Sequence, residues 1–83
     1  MFRLKLTTKA KRELKNISHR HRIALSNIFE EIKDDPSIGK PLTRELTGRF
    51  SYKVSVFRIV YKANKKDRII TIITGGHRAT VYK

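Results

Sequence analysis

The sequence predicts an α+β fold, a helical hairpin packed on one face of a small, mainly antiparallel sheet, in the order β-α-α-β-β-β. Three patterns carry this. Residues 2–6 alternate apolar and basic, two amphipathic helical stretches follow, and the apolar positions of residues 50–61 change phase once, as across a hairpin turn.

Phe2-Arg3-Leu4-Lys5-Leu6 has the period of two expected of a strand with one buried face. Thr7 or Thr8 can cap a helix, because a side-chain hydroxyl accepts from the free N–H groups of a first turn. Ala10, Leu14 and Ile17 then fall on one stripe, predicting a short helix over roughly residues 8–17. Ser18 can cap the next helix, where His21, Leu25, Ile28, Phe29 and Ile32 give a longer stripe over residues 20–34. Pro36 ends it, since the residue before a proline avoids helical angles. Residues 36–41 lie between two prolines and are expected to form a loop.

Phe50, Tyr52 and Val54 occupy even positions, whereas Phe57, Ile59 and Tyr61 occupy odd ones. A two-residue turn at Ser55-Val56 reconciles them. It pairs Val54 with Phe57 and Tyr52 with Ile59, collects the apolar side chains on one face, and sets Lys53 opposite Arg58 on the other. A second turn at residues 64–67 leads into residues 68–74, a run apolar on both faces as in an interior strand. Gly75-Gly76 is expected to break that strand, and the tail from His77 to Lys83 is polar apart from Val81 and Tyr82.

Composition limits the chemistry. The chain has 83 residues and reads as a single domain over 1–83, with 20 Lys+Arg against 7 Asp+Glu and a net charge of +13. The absence of cysteine rules out disulfides, thiolate metal sites and cysteine nucleophiles. Three histidines and scattered carboxylates argue against a metal cage. No cofactor motif is present: nucleotide-binding glycine loop, metal-ligand spacing and serine triad are all missing. No apolar run approaches the ~20 residues of a membrane span, and the N-terminus lacks the apolar core of a signal peptide, so a cytoplasmic protein without membrane contact is expected. Residues 1–39 carry nine Lys/Arg and five acids, whereas residues 40–83 carry eleven Lys/Arg and only Glu45 and Asp67. A polyanion partner is therefore expected at the strands and tail.

The groups left for chemistry are Lys53, Arg58, His77, Arg78 and Tyr82. Arginine forks suit phosphate oxygens. Lysine, histidine and tyrosine transfer protons when neighbours tune them. A ribonuclease that works without metal needs only assistance to a 2′-OH, charge on the phosphorane, and a proton for the leaving 5′-oxygen. His19 and His21 are read as structural, and Tyr52 and Tyr61 as core.

The segment Gly39–Val54, with its Leu46-Thr47-Gly48 step, together with Arg58-Ile59-Val60-Tyr61 and the closing Gly76-His77-Arg78-Ala79-Thr80-Val81-Tyr82, resembles the RelE/ParE toxin superfamily along essentially the whole chain. The resemblance to its RelE-like, mRNA-interferase branch implies a toxin of a type II toxin–antitoxin pair that cuts mRNA in the ribosomal A site without metal. It implies Lys53 as a catalytic lysine, Arg58 and Arg78 as scissile-phosphate contacts, and Tyr82 as a base-stacking catalytic tyrosine. Two positions depart from the family pattern. RelE proper has a second lysine where this chain has Ser55, and YoeB-like members have a glutamate base where it has Lys40. The general acid and base thus stay open, and His77 is a candidate for the vacant role. The implied partners are an acidic antitoxin, in a toxin–antitoxin hetero-oligomer, and the ribosome with its mRNA. The alternatives are a ParE-like inhibitor of DNA gyrase and a non-catalytic basic RNA-binding module.

Overall fold

The computed structural model describes residues 2–15, 17–42, 48–54 and 57–77. The chain runs β1 (Arg3–Leu6), α1 (Thr8–Lys15), α2 (His19–Asp34), a 3-10 turn (Pro36–Ile38), β2 (Lys40–Pro41), β3 (Arg49–Val54), β4 (Phe57–Asn64) and β5 (Ile69–His77). One five-stranded sheet has the order β1-β5-β4-β3-β2. β1 lies parallel to β5, and every other neighbour is antiparallel.

Local chemistry accounts for the helix boundaries. The Ala10 N–H donates to Thr7 Oγ1 at 3.0 Å, so Thr7 is the cap of α1. This helix ends at Lys15, two residues short of the expected boundary, and the Arg22 guanidinium donates to the Lys15 carbonyl. A cation thereby serves one of the carbonyls a helix end leaves open. Ser18 caps α2, as expected, and Asp35 closes it in extended geometry before Pro36.

The core is built of Ala10 from α1, Leu25 and Ile32 from α2, Ile59 and Tyr61 from β4, and Ile70 and Ile72 from β5. All lie between the hairpin and one face of the sheet. The Tyr61 ring stacks on Phe50 at 5.5 Å, and the His21 ring lies 4.4 Å from that of Phe57, a structural role for this histidine.

Two expectations are corrected. Residues 36–41 are not all loop: Pro36–Ile38 forms the 3-10 turn, and Lys40–Pro41 pairs with β3 as an edge strand. An edge is where a proline, which has no N–H to give a ladder, is tolerated. Gly75-Gly76 does not break β5, which continues to His77 with Gly75 paired to Ile59 and Gly76 to Arg58. A side chain at Gly75 would press Cβ to 3.2 Å from Leu14 Cδ2, so the glycine lets α1 lie close on the strand. Just before it the register shifts, Val60 facing Thr74 while Tyr61 faces Ile72, which makes Ile73 the extra residue of a bulge.

Candidate nucleic-acid interface

The β3–β4 ladder has the expected register: Val54 faces Phe57, Tyr52 faces Ile59, and Lys53 faces Arg58. Ser55 and Val56, the expected turn, lie outside the described residues. Because Ile59 and Tyr61 point into the core, alternation turns Lys53 and Arg58 to the opposite, helix-free face. Lys53 is exposed and Arg58 half-buried. Gly76 faces Arg58 from β5, so the position paired with the arginine adds no side chain.

Lys40 joins them. Its register partner is Ser51, two residues before Lys53 on the same face. A shallow cavity of about 450 Å³ is bordered by Ile38, Lys40, Leu42, Ser51, Tyr52, Lys53 and Arg58. Lys40 entered the sequence reading only as a departure from a family pattern. A strand of two residues is too short for periodicity to reveal which face it shares.

Farther down the same face come Arg49, Lys62, Arg3 and Lys5, each placed by register. Among the described residues seven cations therefore share the open face, and the described strand residues add no carboxylate to it. Among the described residues no three His, Asp or Glu side chains come together as a metal-binding group. His77 pairs with Phe57 in the ladder. Arg78 and Tyr82 lie outside the described residues, as does the His77 side chain.

In the helical layer a carboxylate braces the strand that leads to the tail. The Thr74 hydroxyl donates to Glu13 Oε1 at 2.6 Å, and the Gly75 N–H reaches the same oxygen at 3.4 Å. No helix of the described residues is long and apolar enough to cross a membrane.

Residues 4–82 match the family model described as ParE toxin of type II toxin–antitoxin system, parDE. The chain is 31% identical over 84 residues to Toxin RelG of Mycobacterium tuberculosis, covering 99% of this chain and 97% of that protein. A RelBE toxin–antitoxin complex from the same organism contains a chain that superimposes with a TM-score of 0.85 at 30% identity, over 93% of this chain and 98% of that one. The isolated Escherichia coli RelE toxin shares the fold, with a TM-score of 0.82 at 22% identity over 99% of this chain and 92% of that one. The chain belongs to the RelE/ParE superfamily of toxins of type II toxin–antitoxin systems and is RelE-like within it.

Proposed function

We propose that this toxin, acting as one domain over residues 1–83, is a ribosome-dependent endoribonuclease that cleaves mRNA in the A site without metal. The observation that carries the reading is the Lys53–Arg58 pair, held in register on a face where seven cations meet no carboxylate among the described strand residues. In the reaction the 2′-oxygen loses its proton to a base and attacks the adjacent phosphorus. The bond from phosphorus to the 5′-oxygen breaks, and that oxygen takes a proton from an acid. The products are a 2′,3′-cyclic phosphate and a 5′-hydroxyl. Arg58 holds the scissile phosphate through its fork, and Lys53 balances phosphorane charge or moves a proton. Arg78 supplies a second phosphate contact, Tyr82 stacks on the substrate base, and His77 is the candidate for the unfilled acid–base role.

The RelG likeness and the solved RelBE complex also support a cognate antitoxin as partner in a toxin–antitoxin hetero-oligomer. The charge of +13 calls for an acidic one. The test is primer extension on mRNA in a translation extract. Cleavage is expected with the wild type, and Arg58→Ala or Arg78→Ala should abolish it. Intact mRNA at doses that stop translation would refute the reading. The match to the ParE family model favours a second one, inhibition of DNA gyrase. Loss of supercoiling activity at those same doses would establish it instead.

A further inference from the structure

A second cationic site lies on the same face, away from Lys53 and Arg58. The ladders set Lys5 beside Thr71, Thr71 beside Lys62, and Lys62 beside Arg49. These four residues form one lateral row across β1, β5, β4 and β3. Adjacent strands lie about 4.8 Å apart, so Lys5 and Lys62 stand about 10 Å apart and the row spans about 14 Å. Lys65 joins from the β4–β5 turn, and a groove of about 680 Å³ runs between Lys5, Lys62 and Lys65 over Ile69 and Thr71. Lys62 is four residues from Arg58 along β4, about 13 Å at the rise of a strand. A phosphate held by the row is not the one Arg58 holds.

Resting on the ribonuclease reading, we propose that this row docks the backbone of a helical, base-paired stretch of RNA, separate from the strand that is cut. Charge complementarity argues for a polyanion, and the chemistry of the face selects its form. Single-stranded RNA is gripped by stacking its bases on aromatic side chains. Here Phe50, Phe57 and Tyr61 belong to the helix-facing side, Tyr52 borders the Lys53–Arg58 cavity and not this groove, and the described residues lining the groove of the row include no aromatic. A row of ammonium and guanidinium groups whose described lining offers no stacking platform reads phosphates and shape, as proteins do on duplex RNA.

The test is a fluorescence-anisotropy titration of the whole protein with an RNA hairpin of about 16 base pairs and with an unstructured single strand of equal phosphate count. The variants are Lys5→Ala/Lys62→Ala, its charge-keeping counterpart Lys5→Arg/Lys62→Arg, and the charge-matched control Lys9→Ala/Lys11→Ala on α1. The wild type should bind the hairpin more tightly than the single strand. The alanine pair on the row should weaken hairpin binding at least tenfold at low salt and lower the salt slope by about two. That slope change closes the gap roughly tenfold between about 50 and 200 mM salt. The arginine pair should bind like the wild type, and the α1 control should lose much less. In ribosome-programmed cleavage the row variant should raise KM and leave kcat unchanged. Equal or tighter binding of the single strand overturns the proposal. So does an equal loss from the α1 control, or a row variant that loses an acidic antitoxin but keeps RNA. All four lysines are exposed, and the melting temperature of each variant verifies folding. The titration involves no cleavage, so it can fail while Arg58-dependent cleavage stands, and the reverse.

Discussion

Removing one oxygen, by Tyr61→Phe, tests how the fold holds the wall of the Lys53–Arg58 cavity. Tyr61 is fully buried, and its hydroxyl donates to the Pro36 carbonyl at 2.6 Å and accepts from the Gly39 N–H at 3.0 Å. Both partners belong to buried residues of the segment that delivers Ile38 and Lys40 to the cavity. Leaving a buried donor or acceptor unpaired costs about 1–3 kcal/mol, so two of them, with some relaxation of the turn, sum to about 2–3 kcal/mol. For a domain of this size that is a fall in melting temperature of roughly 8–24 °C. Urea denaturation reads the same quantity, with m unchanged. The phenol also carries a pH signature. Burial pushes the Tyr61 pKa above its ordinary value of 10.0, against a smaller opposite pull from the Gly39 N–H. The unfolded chain therefore ionises first. Stability from this group is complete below pH 10 and declines as pH rises toward and through the folded value, and Tyr61→Phe should lack that alkaline loss. Gly39 supplies an internal check, because a Cβ there would collide with the hydroxyl and lie 2.9 Å from Tyr61 Cζ. Gly39→Ala should therefore cost less in the Tyr61→Phe background than in the wild type. A Tyr61→Phe cost under about 0.5 kcal/mol, the range of ordinary surface changes, would refute the account.

Two more predictions address the ends of the site. Glu13→Ala leaves the buried Thr74 hydroxyl and the Gly75 N–H without their acceptor and should cost about 1–2 kcal/mol in urea denaturation, whereas Glu13→Gln keeps an acceptor oxygen and should cost less. Equal losses for the two would show that charge, not the hydrogen bonds, matters there. The Ser37 hydroxyl, followed by the Ser37 N–H, holds the exposed Asp35 carboxyl below its ordinary value of 3.8. Its contribution is present above pH 3.8 and is lost as pH falls through the folded value. In an NMR titration the Ser37 amide shift should therefore have its midpoint below 3.8, and a midpoint at or above that value contradicts the cap.

What the sequence revealed was local. The phase change between Val54 and Phe57 foretold the register that sets Lys53 against Arg58, because a strand's period of two allows only one pairing with a buried face. Thr7 and Ser18 announced their helices through the need of first-turn N–H groups for an acceptor. What stayed hidden depends on distant chain segments. The lateral row of Lys5, Lys62 and Arg49 exists because β1 lies parallel to β5, an adjacency of residues more than sixty positions apart that no local pattern encodes. Gly75-Gly76 reads as a breaker by propensity, but the close packing of Leu14 makes a small residue fit at Gly75. The burial of Tyr61 was legible, yet its hydroxyl contacts were not, since the Pro36 carbonyl and the Gly39 N–H lie 25 and 22 positions away in the chain.

The placement of the seven carboxylates sharpens the meaning of the net charge. Five lie between Glu13 and Asp35, in the hairpin layer. Asp67 is tied to Asn64 in the β4–β5 turn, and Glu45 is outside the described residues. Residues 8–35 carry seven Lys/Arg against those five acids, so the hairpin is nearly balanced. The sheet face carries the same number of cations with no carboxylate among its described strand residues. A molecule with that asymmetry turns its sheet toward a polyanion before contact, because the field it projects is uneven as well as positive. Removing two lysines from either layer changes the net charge equally, but only removal from the sheet weakens the face that approaches first. Comparing the Lys5/Lys62 and Lys9/Lys11 pairs thus separates a built RNA surface from a merely basic protein. A salt slope that falls by the same amount for both would mean that the total charge alone governs binding.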